Sequence, residues 1–302
     1  MMYSSTIDYF AKLAKAKTAF LKSNPLAFFI GALMAGAYLS IGIALVFTIA
    51  GQLDPSIRPL VMGISFGIAL TLVVFAGSEL FTGLTMYMTI GWLKETVTGS
   101  EVFKTWGVSW SGNLLGALLF SIMMAIGHGA LYNESSDLLN AIASSKINKG
   151  PVQLFFLAVL CNWFGCLAIW TAARTENDVA KCILIFWCLY GFFASGFEHS
   201  IANMAIFSMA LLGDHPESVS LAGMFYNLFF VTLGNLVSGS VFMAVGYWAA
   251  SPKAMDPSSK PAKKIKAMLD GLFDLLLKLY GLIKKYATQG WQLAKENLNK
   301  AA

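Results

Sequence analysis

Apolar residues fall into six long runs, at about 26–50, 60–92, 106–126, 151–173, 182–212 and 224–250, with short polar connections between them. A span across the bilayer core needs about 20 apolar residues. Runs one, three, four and six fit one span each, and runs two and five are too long for a straight one. Both long runs are interrupted at their middle. The second reads Ala76-Gly77-Ser78-Glu79-Leu80-Phe81-Thr82-Gly83, and the fifth reads Ala194 through Ser195, Gly196, Phe197, Glu198, His199, Ser200, Ile201, Ala202 and Asn203 to Met204. An ionisable group at membrane depth costs roughly 2.5–3.5 kcal/mol or more, so such a group marks a functional site by default. Small residues beside it predict a helix that stops at the midplane and turns backbone toward a cavity. The pattern therefore predicts an all-α polytopic membrane protein with six transmembrane helices, the second and fifth broken.

The halves repeat. Gly112-Asn113-Leu114 in run three matches Gly234-Asn235-Leu236 in run six, and Phe28-Phe29 in run one echoes Phe155-Phe156 in run four. Glu79 precedes Asn113 by 34 residues and Glu198 precedes Asn235 by 37. Three spans per half is odd, so the two halves are inverted in the membrane and their broken helices flank one permeation site. Small-xxx-small pairs at Gly31/Ala35, Gly63/Gly67, Gly112/Gly116 and Gly191/Ser195 allow close helix contact, within or between subunits.

Outside the runs, residues 1–24 alternate Ile7, Phe10, Ala14 and Leu21 with Lys12, Lys15, Lys17 and Lys22, which predicts an amphipathic helix along the membrane surface. Asp54-Pro55 marks a tight loop, and residues 128–150 read as a polar loop. The channel domain is expected over 25–252 and a basic tail over 253–302. In that tail, apolar residues recur at helical spacing from Ile265 onward. It reads as a helix on the anionic leaflet, as a helix packing against its copies beneath an oligomer, or as an appendage without fixed structure; Asp270, Asp274 and Lys278 argue against a seventh span.

Composition sharpens the class. Of 302 residues, 57% are hydrophobic and 12% charged, with mean hydropathy +0.66; soluble domains average about 25% charged. The net charge of +5 belongs to the tail, where ten lysines face four acids from Ser251 on. It therefore implies nothing about nucleic acid, and no nucleic-acid partner is expected. Lys and Arg concentrate in the amino-terminal segment, the loops near Lys94 and Arg174, and the tail. Arg58, Lys146 and Lys149 alone fall on the other side, which places both termini in the cytoplasm. The first run is too long for a cleavable leader. The four cysteines read as small core residues, and neither a metal ligand set nor a cofactor is expected.

The six spans carry three ionisable side chains: Glu79, Glu198 and His199. Carboxylates lining an anion path would repel the anion, so Glu79 and Glu198 are expected to accept bonds from loop amides or to be protonated. Asn203 joins Glu79 in supporting the loops. His199, at a helix break, is expected to line the pore, where imidazole can donate a hydrogen bond or shuttle a proton. Thr82 offers a hydroxyl at the opposite break. Phe66, Leu70, Leu80, Phe81 and Phe192 surround these positions, and spacing alone reads them as packing.

The motifs Gly77-Ser78-Glu79-Leu80-Phe81-Thr82-Gly83, Cys161-Asn162-Trp163, Ala194 to Met204 and Val231-Thr232-Leu233-Gly234-Asn235 together resemble the formate/nitrite transporter family. Arg58-Pro59-Leu60-Val61-Met62-Gly63 and Arg174-Thr175-Glu176 resemble its nitrite-channel branch. The resemblance covers about residues 1–252. It implies a homopentamer of aquaporin-like protomers in a bacterial inner membrane, each with its own pore. It also implies a mobile loop at the first break. Carried over, Thr82 is the loop threonine, His199 the central histidine, Asn162 a pore-side asparagine and Glu198 the neighbouring glutamate. Phe66, Leu70 and Phe192 form hydrophobic constrictions, with Leu80 narrowing the cytoplasmic side. The implied activity is passage of small monovalent anions, nitrite first, with formate or hydrosulfide as alternatives, and no enzymatic reaction. Where several members place a lysine, this chain has Leu157, so a positive attractor is expected to be missing. A membrane oxidoreductase would need a bis-histidine haem pair within the spans, which is absent. A water or glycerol channel would carry an Asn-Pro-Ala pair at a break, which is absent too.

Overall fold

The computed structural model describes residues 3–127 and 135–251, together with residues 260, 262–267, 269–271, 273, 274, 277, 278, 280 and 281. Two compact units result, Met1–Ala254 and Met255–Ala302. Loop positions 128–134 and tail positions 252–259 and 282–302, with Met268, Leu272, Leu276 and Leu279, lie outside the described residues.

The larger unit is all helical among its described residues. Its first half runs α1 (Ser4–Ser23), α2 (Pro25–Ala50), α3 (Arg58–Ala76), α4 (Phe81–Leu93) and α5 (Gly99–Ile126). The second runs α6 (Ser136–Ile147), α7 (Pro151–Ala172), α8 (Asp178–Ala194), α9 (Ser200–Leu212) and α10 (Leu221–Val237). A π-helical stretch, Ser238–Val245, carries the last helix into α11 (Gly246–Ala249). Among the described residues, α2, α3, α5, α7 and the continuous Leu221–Ala249 are long and apolar enough to cross a membrane.

Local chemistry sets the boundaries. Prolines at the first turns of α2, α3 and α7 start helices where no amide partner is needed. Asn24, Asn177 and Ser220 cap α2, α8 and α10 through their side chains, and Thr98 forms a capping box with Glu101. In the expected turn after α2, Asp54 accepts from the Ser56 hydroxyl at 2.6 Å and the Ser56 amide at 2.9 Å. These bonds hold its carboxyl below the ordinary range.

Packing interleaves the halves. α2 lies on α5 and α7 on α10; α3 packs on α8. The short helix of each half docks on the other half, α9 on α5 and α4 on the π-helical stretch. Small-xxx-small pairs are used inside the chain. Gly112 and Gly116 of α5 sit on the backbone of α2 where any Cβ would clash, and Gly63 and Gly67 of α3 face Ala194 and Phe186 of α8.

Two sequence expectations change. The stretch 128–150, read as loop, contains α6. Leu139 and Ala143 recur at four-residue spacing and are fully buried, which is enough for a three-turn helix in a run that averages polar. The amphipathic helix α1 spends its apolar side inside the protein rather than on lipid. Phe10 is fully buried and stacks on Tyr87 at 5.8 Å and Trp170 at 5.7 Å. Thr96 Oγ1 donates to the Ala11 carbonyl (3.1 Å), and Lys94 pairs with Asp8 (2.9 Å). Aromatic partners of fixed geometry hold the helix more specifically than disordered acyl chains can.

Candidate functional site

The site is built from the two places where short helices meet end to end. α3 ends at Gly77 (φ 74°) and α8 at Gly196 (φ 70°), each in the left-handed region that glycine enters without strain. The next amides fold back: Ser78 N–H donates to the Val73 carbonyl (3.1 Å) and Phe197 N–H to the Phe192 carbonyl (3.2 Å). Extended residues then carry the chain to α4 and α9. Their polar backbone lies deep in an apolar protein and must find partners there. Glu79 N–H donates to Gly31 of α2 (3.1 Å), and Glu198 N–H donates to Leu157 of α7 (3.3 Å). Asn113 Oδ1 accepts from Phe81 N–H (2.9 Å), while its Nδ2 donates to the carbonyls of Ala32 (2.7 Å) and Glu79 (3.0 Å). Asn235 repeats the set, accepting from Ser200 N–H (2.9 Å) and donating to Ala158 (2.8 Å) and Glu198 (3.1 Å). The Gly-Asn repeat of the sequence is thus a pair of amide side chains, each stitching one interhelical link to the helices beside it.

The two glutamates differ from expectation. Each has cationic partners from the helix preceding the first span of its half. Glu79 pairs with Lys17 of α1. Glu198, fully buried, pairs with Lys146 (2.8 Å) and Lys149 (3.0 Å), at and just past the end of α6. Asn203 Nδ2 bridges Glu198 Oε2 (2.7 Å) and Asn227 Oδ1 (2.8 Å), and Asn227 in turn donates to the Lys146 carbonyl (3.0 Å). Both carboxylates are thus held by lysines, and neither lines the cavities described below. The sequence expectation missed Lys17, Lys146, Lys149 and Asn227. The available signal was position: Lys17 lies eight residues before Pro25 and Lys146 five before Pro151, and lysine stems are long enough to reach inward.

Between the two links lies a chamber of about 10 Å³, room for roughly one water-sized solute. Phe66, Leu70, Leu80, Ile169 and Phe192 supply apolar wall, and Thr82 and His199 supply the polar side chains among the described residues lining it. Phe192 and His199 also line a vestibule of about 250 Å³ that contains Lys146, Lys149 and Asn203. Leu70, Leu80 and Ile169 also line a second vestibule, about 480 Å³, that contains Tyr9, Lys17 and Lys181. The chamber therefore abuts both vestibules, one across Phe192 and the His199 ring and the other across apolar side chains alone. Phe66 stacks on Phe193 at 4.2 Å and meets Phe192 edge-on at 5.8 Å, so the aromatic end is braced.

His199 is also the N-cap of α9, its Nδ1 accepting from Ala202 N–H at 3.2 Å. A ring nitrogen that accepts carries no hydrogen, so in the neutral ring Nε2 holds it. Phe192 stacks on the imidazole at 5.9 Å and 14°. The Thr82 carbonyl is held from behind by Thr85 Oγ1 (2.6 Å) and Asn162 Nδ2 (3.3 Å). Asn162, expected on the pore side, is fully buried behind the wall and also donates to Thr85 Oγ1 (3.2 Å) and the Asn235 carbonyl (2.7 Å). Three separate acceptors absorb its amide protons, which leaves it a positioning residue. Glu198 likewise stands behind the lining. The structure brings Thr82, His199, Phe66, Leu70, Leu80 and Phe192 together. Asn203 lines the lysine-bearing vestibule, and Glu79 sits under α1.

A family model described as formate/nitrite transporter matches residues 5–249. That span holds both interhelical links, the chamber and both lysine-bearing helices. The chain belongs to the formate/nitrite transporter family. It is similar to the nitrite transporter NirC of Escherichia coli (strain K12), 47% identical over 256 residues, 85% of this chain and 95% of that one. Among solved structures it is similar to an FNT family ion channel, with TM-score 0.81 and 46% identity over 83% of this chain and 100% of the other. It is also similar to a pentameric formate channel with formate bound, with TM-score 0.66 and 27% identity over 76% and 98%. Membership in this family makes the chamber and its vestibules the natural place to look for a transport path.

Proposed function

We propose that this protein conducts small monovalent anions across a bacterial inner membrane, nitrite first, with formate or hydrosulfide as the alternatives. The observation that carries the reading is the one-solute chamber with Thr82 and His199 in an otherwise apolar wall, flanked by two vestibules. The similarity to a nitrite transporter supports nitrite, and the likeness to a formate channel keeps formate in view. In this reading the protomer has six transmembrane helices in an inverted 3+3 repeat, α3–α4 and α8–α9 forming broken helices two and five. The matched amide bonds of Asn113 and Asn235 support that symmetry. Residues 1–24 are the cytoplasmic amphipathic helix, 25–252 the channel, and 253–302 the cytoplasmic tail; both termini face the cytoplasm. Five copies assemble, each with its own pore, and the protein is not an enzyme.

The mechanism follows from desolvation. A bare anion between Phe66 and Phe192 at one end, or Leu70 and Leu80 at the other, loses its hydration with nothing to replace it. The neutral acid crosses at far lower cost. In the chamber the anion meets the Nε2–H of His199 and the Thr82 hydroxyl as hydrogen-bond donors. The ring becomes a proton donor only after Nδ1 is protonated, which ends its cap on α9 and sets a cation against the positive end of that helix. The neutral, capped ring is thus the resting form, and the anion and its proton travel together.

A flux panel tests the reading. Purified protein in liposomes is given nitrite, formate, hydrosulfide and chloride across a pH series. We expect weak-acid anions to pass, faster as the donor side is acidified, and chloride to be excluded. Chloride flux equal to nitrite flux at every pH would overturn it. Osmotic swelling with glycerol and no anion flux would point instead to a neutral-solute channel.

A further inference from the structure

The unit Met255–Ala302 lies beyond the family match, which ends at residue 249, so nothing in the channel's function accounts for it. The described residues between 260 and 281 are helical. Four large apolar side chains there stand in solvent: Leu269 is 42% exposed, Phe273 63%, Leu277 51% and Tyr280 64%. Their spacing of four, four and three residues sets them on one helix face. Lys260 and Lys278 are exposed on the opposite side and Lys263 toward one flank, while Lys266 falls within the arc of the stripe near its start. An apolar stripe of this size on a helix is an interaction surface rather than scatter.

Charge and reach indicate what covers it. From residue 260 to 281 five lysines outnumber two aspartates, and from Ser251 to the end ten lysines face four acids. The last membrane-crossing helix ends at Ala249 and the tail helix is present at Lys260. At about 3.5 Å per extended residue, the connection cannot carry the helix more than roughly 40 Å from the bilayer in which that crossing helix sits. Leucine and aromatic residues on one face, with Lys260, Lys263 and Lys278 off it and the long stem of Lys266 able to lift its charge from the start of the stripe, suit a helix lying in a lipid headgroup layer. Asp270, Asp274 and Lys278 keep it from entering the hydrocarbon core.

We propose that residues 260–281 dock along an anionic lipid surface, Leu269, Phe273, Leu277 and Tyr280 facing the acyl boundary and the lysines facing lipid phosphates. The proposal rests only on the chain's residence in a membrane, not on which anion it carries. The test is hydrogen exchange of residues 260–281 in the full-length protein, in nanodiscs of phosphatidylcholine alone and of phosphatidylcholine mixed with phosphatidylglycerol. We expect exchange roughly ten-fold slower in the anionic discs, with the protection weakening as salt is raised. Phe273→Ser with Leu277→Ser should abolish the protection. Lys263→Gln with Lys278→Gln, which leaves helix and stripe intact, should remove the difference between the two lipids. Equal protection in both lipids, insensitive to salt, would overturn lipid docking in favour of packing against other copies. Fast exchange in both would overturn it outright.

Discussion

His199 serves two structures at once: its Nδ1 caps α9 while its ring walls the chamber. That double duty separates its substitutions. In His199→Phe both the cap and the Nε2 donor vanish, and a further aromatic ring joins the constriction. Weak-acid uptake should fall at least about 100-fold, a loss in the range assigned to one preorganised donor at a desolvated centre. His199→Asn keeps a residue type that caps helices well and a small donor. It should fold normally and conduct, with weaker dependence on proton supply. Liposome uptake measured across pH checks both; wild-type pH dependence in both variants would remove His199 from the mechanism. Thr82 is a cleaner probe, because its carbonyl rather than its hydroxyl carries the bonds to Thr85 and Asn162. Thr82→Val keeps the shape and those carbonyl bonds. Flux should drop with little change in thermal stability. Flux at the wild-type rate would make the hydroxyl dispensable.

At the scale of elements, the two interhelical links stand on their asparagines. Each Asn satisfies three backbone groups that have no water to turn to, and leaving one buried group unsatisfied costs about 1–3 kcal/mol. Asn235→Leu should therefore lower the unfolding temperature markedly and suppress flux, since Ser200 N–H and the Glu198 carbonyl lose their partner and Ala158 loses its second bond. Asn113→Leu should cost a similar amount, because its bond set is the same. A thermal melt in detergent measures both, and indifference at either position would show that the two links are not equivalent. These elements were legible in the sequence for a physical reason. Gly77, Glu79, Gly196 and Glu198 interrupt apolar runs where any polar group is expensive, so their presence had to mean something. The partners were not legible. Lys17, Lys146 and Lys149 lie outside those runs, and only the folded placement of α1 and α6 brings them to the carboxylates. The π-helical stretch was hidden too, because it depends on Gly239 giving way to Thr85, and on Ser240 meeting Thr89 at 3.0 Å across the two halves. Asn162 had a pore-facing expectation and instead braces three helices, a distinction that side-chain direction alone decides.

Across the whole molecule, charge is distributed unevenly along the proposed path. Glu79 has one lysine at hand, whereas Glu198 has two, Lys146 and Lys149, which also line the 250 Å³ vestibule. One positive charge is therefore in surplus beside the aromatic end of the chamber. This answers the expectation of a missing attractor at Leu157. That residue contributes its backbone carbonyl to Glu198 N–H, and the second cation near the carboxylate comes from beyond α6 instead. A unit charge acts on an anion about 4 Å away with about 1 kcal/mol in water, or roughly five-fold in local anion concentration. Lys149→Met should leave Glu198 paired with Lys146 and Asn203, and so leave stability nearly unchanged. It should lower nitrite uptake at subsaturating concentration by a few-fold. The deficit should shrink as salt is raised, because screening at high ionic strength removes the same advantage from the wild type. Leu157→Lys placed in the Lys149→Met background should restore part of the lost uptake, since it returns a cation to the neighbourhood of the same carboxylate. Concentration curves for wild type and Lys149→Met that coincide at low salt would show that Lys149 only neutralises Glu198, and that capture of the anion is governed elsewhere along the path.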